Sequence, residues 1–245
     1  AGTLLSAMAA FGFNQVIEHD RDAKMDRTRH RILVTGQATK RGVSVFSIVL
    51  LAAGLLILGF QSGILAMTFA LASFLIYVFP YTWLKPKSSF NTIVGAFSGA
   101  VGPLIGDATA NGTVTWFGWL LFAFLFLWQP PHFWALACYR KDDYARGGFV
   151  MLPVEKGIRY TSIQMVVYYA LLTGLLTVSF YPLQFTNIVF FVTAVPFSFL
   201  ILVYMIRFAK SQNLKTARIA FFLSIFHNML WHGVLTFEQL SRHFD

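Results

Sequence analysis

Charge is scarce in this sequence. Of its 245 residues only 12% are Asp, Glu, Lys or Arg, about half the share of an ordinary soluble domain. Cysteine is scarcer still: Cys138 stands alone, so no disulfide closes within the chain and a disulfide-stapled scaffold is excluded. The composition also excludes disorder, collagen and coiled coil. What fills the space is apolar: 57% of residues are hydrophobic, 17% are aromatic, and mean hydropathy is +0.64. A soluble domain of this size cannot hide that much apolar surface from water. The chain reads as an all-α polytopic membrane protein.

The charge gaps give its organisation. No charged side chain occurs in 1–17, 42–84, 88–106, 108–139, 160–206 or 219–237. A bilayer core about 30 Å thick takes roughly 20 apolar residues per helix. Residues 42–84 therefore hold two spans, with a turn at Gln61-Ser62-Gly63, and 160–206 holds two more, broken near Tyr181-Pro182 because proline lacks a donor and disfavours helix before it. Segments 1–17, 88–106, 116–138 and 219–238 add one each, for eight helices. With that count, 18 of the 19 Lys and Arg fall in loops on one side, and only Arg242 on the other. The positive-inside rule makes the first side cytoplasmic, or matrix-facing in an organelle. The net charge of +9 then reflects topology and contact with anionic lipid rather than nucleic acid. The chain opens with Ala1 inside a short apolar stretch and shows no signal peptide. That start leads us to expect further native sequence, including a helix, before it. The whole of 1–245 is expected to form one transmembrane domain, with loops 18–42 and 139–160 at its active face.

Seven of the ten acidic residues lie in those two loops: Glu18, Asp20, Asp22 and Asp26, then Asp142, Asp143 and Glu155. Asn14, Glu18 and Asp22 recur every four residues, which stacks them on one helical face. Like charges so placed repel by a few tenths of a kcal/mol each. A divalent cation reverses that sign, and Mg²⁺ suits a site with one or two carboxylates completed by water and phosphate. Lys24, Arg27, Arg29, Arg31, Lys85, Arg140, Lys141 and Arg146 surround the stripe. Carboxylates, Mg²⁺ and guanidinium groups together make a diphosphate site. Solvated positive-inside loops with incidental acids give the same pattern, and periodicity does not choose between the two.

Other polar positions say less. His132 follows Gln129-Pro130-Pro131, where a broken or kinked helix is expected. It serves as a metal or haem ligand, or bonds a freed carbonyl. His227 and His232, five apart, are expected to be satisfied bundle histidines. Gly95, Ala96, Gly99 and Ala100 form a small-residue face for close helix packing. The Phe- and Trp-rich run 116–134 is expected to be mostly lipid-facing.

One family carries these residues together. Asn14-Gln15, Glu18, Asp22, Met25, Arg27-Thr28 and Arg31 resemble the first signature of the protoheme IX farnesyltransferases (haem O synthases), a family of UbiA-type intramembrane prenyltransferases. The resemblance continues through Tyr81-Thr82-Trp83-Leu84-Lys85, Asn91-Thr92-Ile93-Val94-Gly95, Trp128-Gln129-Pro130-Pro131-His132-Phe133-Trp134, and Tyr139-Arg140-Lys141-Asp142-Asp143-Tyr144. It covers about residues 1–160 well and the last three helices by hydropathy alone. Two departures stand out. Ile32-Leu33-Val34 replaces a proline-leucine-proline run, and Asp142 and Asp143 are adjacent, with Gly147 where other branches place a second acid.

The resemblance implies nine helices around a central cavity and transfer of a farnesyl group from farnesyl diphosphate to a vinyl group of protoheme IX. It implies Mg²⁺ near Asn14, Glu18, Asp22 and Asp143, with Asp142 and Asp143 as the second acidic motif. Lys24, Arg27, Arg31, Lys85, Asn91, His132, Tyr139 and Arg140 become substrate contacts, His132 toward haem iron or a propionate. Haem is a substrate rather than a cofactor. The implied setting is a bacterial inner membrane, with haem A synthase or terminal oxidase assembly downstream. Two other readings remain: a UbiA-type enzyme acting on a quinone precursor, and a cation-binding transporter. The transporter reading predicts acids near the bilayer midplane and inverted repeats. Here the acids of both loops sit at loop or helix-end depth.

Overall fold

The computed structural model describes residues 1–241, and the side chains of 1–237; Arg242 lies outside the described residues. Among the described residues every regular element is helical. The helices are α1 (Gly2–Asp22), α2 (Lys40–Gln61), α3 (Ile64–Ile76), α4 (Thr82–Leu84), α5 (Asn91–Gly99) and α6 (Gly102–Asn111), followed by α7 (Trp116–Tyr139), α8 (Lys141–Arg146), α9 (Leu152–Glu155), α10 (Gly157–Phe180), α11 (Ile188–Ser211) and α12 (Leu214–Ser241). A π-helical turn, Tyr77–Tyr81, joins α3 to α4.

Among the described residues seven segments are long and apolar enough to cross a membrane: Lys40–Gln61, Ile64–Leu84, Asn91–Asn111, Trp116–Tyr139, Gly157–Phe180, Ile188–Ser211 and Leu214–Phe237. Helix α1 is the eighth long helix. The span expected over 1–17 runs on through Asp22, so the acidic stripe is part of the helix itself. The turn at Gln61–Gly63 is closed by Gly63, whose φ of 90° only glycine adopts without strain.

The chain divides into two compact units, Ala1–Phe126 with Arg140–Glu155, and Leu127–Tyr139 with the chain from Lys156 onward. In the first, α1 packs along α2 at van der Waals distance. A Cβ on Gly54 would lie 2.7 Å from the Gly2 carbonyl oxygen, which is why a glycine stands there. The small-residue face of α5 packs as closely: Ala96 and Ala100 are buried, and Gly95 sits against the Tyr81 ring. In the second unit, α11 joins α10 and α12, and His227 ties all three helices together. Its Nε2 donates to the Ala194 carbonyl at 3.0 Å, and its Nδ1 accepts from the Tyr169 hydroxyl at 2.8 Å.

Two expectations about α7 meet the structure here. Of the broken or kinked helix expected at Pro130 and Pro131, the break is removed: the helix continues to Tyr139. The missing N–H groups leave the carbonyls of Phe126 and Leu127 without helical partners, a loss that membrane helices tolerate. The two compact units divide between those same two residues. Nor is the aromatic run mostly lipid-facing. Half of its most apolar window is buried, the largest share among the seven spans, and within 116–134 only Trp116, Trp119 and Phe133 are exposed. Apolar residues occur all round this helix, so composition gave no direction to its faces.

Candidate active site

The stripe on α1 is buried. Asn14 and Glu18 are each 4% exposed and Asp22 1%, positions where a carboxylate is stable only with a partner. Each carboxylate has one. Lys85 Nζ lies 2.8 Å from Glu18 Oε1, and Arg31 donates to Asp22 Oδ2. The Asn14 amide donates to Thr82 Oγ1 at 3.2 Å, and among the described residues no donor meets its amide oxygen. Three residues spaced by four on one helix thus face two cations drawn from two separate loops.

The π-helical turn sets up the Lys85 side. Pro80 cannot supply a helical N–H, and the turn widens around it. Thr82 Oγ1 donates back to the Tyr77 carbonyl at 2.8 Å while accepting from Asn14. Past the turn, Lys85 Nζ sits 4.6 Å from the Tyr81 ring centroid and 5.4 Å from that of Phe149. Burial works against the Lys85 ammonium, but Tyr81, Glu18 and Tyr77 outweigh it and hold its pKa above the ordinary lysine value. Lys85 is therefore a standing cation.

The second acidic loop is built differently. Asp142 is exposed and Asp143 is buried. Asp143 Oδ1 accepts the Asp26 backbone N–H at 2.7 Å, Oδ2 accepts that of Arg27 at 3.3 Å, and Arg146 lies 2.8 Å from Oδ1. Arg146 also pairs with Asp26. Arg21 donates to the carbonyls of Gly147 and Gly148 at 3.3 and 2.9 Å. The 140–155 segment reaches Lys85 as well: Val150 N–H donates to the Lys85 carbonyl at 2.7 Å, and Asn91 donates to the Val150 carbonyl at 3.0 Å and the Ser88 carbonyl at 2.7 Å.

The expected site residues thus sort into groups. Asn14, Glu18, Asp22, Arg31 and Lys85 come together in one place. Asp143 and Asn91 serve backbone groups beside it. Arg27 lies over the Tyr144 ring at 5.8 Å, and burial pushes that phenol's pKa up against the pull of Arg27 and Lys85. Lys24 and Arg140 are exposed. His132 and Tyr139 belong to the second unit, where Tyr139 meets Phe221 edge-on at 5.8 Å. Arg21 and Thr82 were missed as site residues, since a backbone carbonyl partner and a π-helical register leave no mark in sequence.

Along the N-terminal part of α1 lies a cavity of about 260 Å³, lined by Ala7, Ala10, Phe74, Tyr77, Gly99 and Ile105 among others. Ala10 is one helical turn before Asn14, so the cavity and the polar stripe share one edge of α1.

A cation fits this donor set in one way. Among the described residues no three His, Cys, Asp or Glu side chains converge as a cage. Two carboxylates and an amide oxygen on one helix face are instead the partial oxygen set that Mg²⁺ completes with water and phosphate.

The sequence profile of the UbiA prenyltransferase family matches residues 1–230. The chain belongs to that family. Among curated relatives, the protoheme IX farnesyltransferase of Trichormus variabilis is 38% identical over 233 residues, 94% of this chain and 73% of the relative. The protein of the same name from Polynucleobacter asymbioticus is 37% identical over 98% of this chain and 80% of the relative. That of a Synechococcus strain is 42% identical over 73% of this chain, and the matched region spans about half the relative's length, 54%. A solved UbiA homolog from Aeropyrum pernix K1, in its apo form, superposes with a TM-score of 0.75 over 98% of this chain and 87% of that one, at 18% identity, which shows the fold. With seven membrane-capable segments, this UbiA-family prenyltransferase is a multi-pass membrane protein.

Proposed function

We propose that this chain transfers the farnesyl group of farnesyl diphosphate to a vinyl group of protoheme IX, giving haem O. The carrying observation is the pairing of the Glu18 and Asp22 carboxylates with Lys85 and Arg31 on the edge of α1 that also lines, further toward its N-terminus, a mainly apolar cavity, in a family whose similar relatives bear the protoheme IX farnesyltransferase name. Asn14, Glu18 and Asp22 would hold Mg²⁺, which neutralises charge on the departing diphosphate. Arg31 and Lys85, then released from the carboxylates, clamp the diphosphate oxygens. Arg31 suits this through its bidentate geometry, and Lys85 through a charge that its surroundings maintain. The cavity beside α1 takes the prenyl chain and keeps water from the allylic cation until the electron-rich vinyl carbon captures it; water then adds to the cation left beside the porphyrin ring and loses a proton, which gives the hydroxyethylfarnesyl side chain. Asp143 holds the loop bearing Arg27 and Arg31 in place. The excess of Lys and Arg in the loops of this face supports a cytoplasmic orientation by the positive-inside rule, and the membrane we infer is a bacterial inner membrane. Haem A synthesis or terminal oxidase assembly then consumes the product.

The test is mass spectrometry of haems extracted from cells expressing the chain, beside Asp22→Ala. A hydroxyethylfarnesyl haem in the wild type alone is the expected result. A prenylated quinone precursor with haem B unchanged assigns a different acceptor, and no prenylated product at all removes the transferase reading.

A further inference from the structure

The cavity beside α1 has a direction, and all of its walls belong to the first unit. Helix α1 lines it from Phe11 to Thr3, α3 with its π-helical turn from Tyr77 to Ala70, and α5 with α6 from Ser98 to Ile105. The Tyr77 end is the site end: the Tyr77 carbonyl accepts from Thr82 Oγ1, which in turn accepts from Asn14. Three serines on the walls give their hydroxyl protons to the protein. Ser6 donates to the Gly2 carbonyl at 3.1 Å, Ser73 to the Ser98 carbonyl at 2.9 Å, and Ser98 to the Ser73 carbonyl at 2.8 Å. Those serines have no proton left for an occupant, which suits a hydrocarbon tail.

Beyond the far end lies a second cavity of about 350 Å³, lined by Leu58, Gln61, Gly106 and Thr109 among others. The two cavities share Thr3, Gly102 and Ile105, so these residues divide them. Ile105 is 5% exposed and belongs to one packed cluster with Leu58 and Ala70. At Gly102 a Cβ would meet nothing within 4 Å. The same holds at Gly106, which lines the second cavity but not the first. Asn14 and Thr3 are eleven residues apart, roughly 16 Å at about 1.5 Å per residue. An extended isoprene unit, with four bonds of about 1.5 Å, advances roughly 5 Å. Three units therefore reach the divide, and a fourth would have to pass it.

We propose that Ile105 and Gly102 fix the prenyl donor at three isoprene units; this rests on the prenyl-binding role given to the cavity above. The diphosphate is held at the acidic stripe, so the tail is measured from a fixed origin. Ile105 closes the floor beneath the third unit, and its close packing leaves it little room to yield. Gly102, lacking a side chain, keeps open the space that the third unit fills. One surplus methylene in an apolar pocket already changes selectivity by about tenfold or more, and a fourth unit adds a whole branched five-carbon segment.

The chain in lipid nanodiscs with Mg²⁺ is titrated with the hydrolysis-resistant geranyl, farnesyl and geranylgeranyl S-thiolodiphosphates, without haem. The wild type is expected to bind the farnesyl probe at least about tenfold more tightly than the geranylgeranyl probe. Ile105→Ala closes that gap and leaves geranyl binding unchanged; adding Gly106→Leu, which fills the second cavity, reopens it. Gly102→Leu weakens the farnesyl probe about tenfold and spares the geranyl probe, whereas Gly106→Leu alone changes neither. Each comparison is between probes on one variant, so a general loss of stability cancels. Equal wild-type affinity for the two longer probes, or a Gly102→Leu loss shared by all three, overturns the proposal. If haem O still forms in membranes in that case, only the length assignment falls. If no probe binds the wild type, the prenyl-binding role of the cavity falls and the length assignment with it.

Discussion

The two acidic regions of the first unit both bury a carboxylate, yet they bury it against different things. On α1, Glu18 and Asp22 meet the side-chain cations Lys85 and Arg31. In the loop after α7, Asp143 meets two backbone N–H groups and Arg146. A side-chain cation can swing away when a better one arrives, whereas a backbone N–H fixed within a turn cannot. The first region is built to exchange partners and the second to stay closed. On the proposed function the first is the reacting surface, and the second holds its loop.

That contrast can be broken in order of expected effect. Asp22→Ala removes an exchangeable carboxylate and should cut farnesyl transfer on the order of 10²-fold or more, the scale of losing one preorganised electrostatic group. An Mg²⁺ titration of initial rate checks it; unchanged Mg²⁺ dependence would mean the cation is held elsewhere. Lys85→Met leaves the Glu18 carboxylate buried and unpaired, which costs about 3–5 kcal/mol and should show in thermal unfolding. Because the pKa of Lys85 is raised, its contribution is fully present below the unfolded value near 10.5 and fades only as pH rises through the higher folded value. The deficit of Lys85→Met against wild type should thus be constant across neutral pH.

Asp143→Asn keeps one acceptor oxygen, loses the other, and loses its charge. An unpaired backbone N–H at Asp26 or Arg27 costs about 1–3 kcal/mol. Melting temperature should fall while the Mg²⁺ requirement of the residual activity is unchanged; a raised Mg²⁺ requirement makes this loop a second metal site. The smallest effect belongs to Asp142→Ala. That side chain is exposed, so stability should move by no more than about 0.5 kcal/mol, and turnover should match wild type.

Much of the fold was legible because a bilayer imposes a length and a charge pattern that composition reports directly. Gln61–Gly63 and Phe180–Tyr181 end helices where glycine and proline said they would. The continuity of α7 through Pro130 and Pro131 was not legible, because the missing donors act only on local hydrogen bonds, while burial of the helix on several sides holds it together. The face of that helix was illegible for the complementary reason: a segment apolar all round carries no moment to read.

At the site the division is sharper. The four-residue spacing of Asn14, Glu18 and Asp22 is a property of the α-helix, so the sequence by itself determined that three oxygen-bearing side chains share one face. Which cation meets which carboxylate was decided only by tertiary structure. Lys85 and Arg31 lie 67 and 9 residues from their partners, and their placement depends on a π-helical turn, the Asp143 bonds to backbone N–H groups and the Asn91–Val150–Lys85 relay. Those contacts run through backbone amides, which every residue but proline carries alike, and so no side-chain pattern announces them.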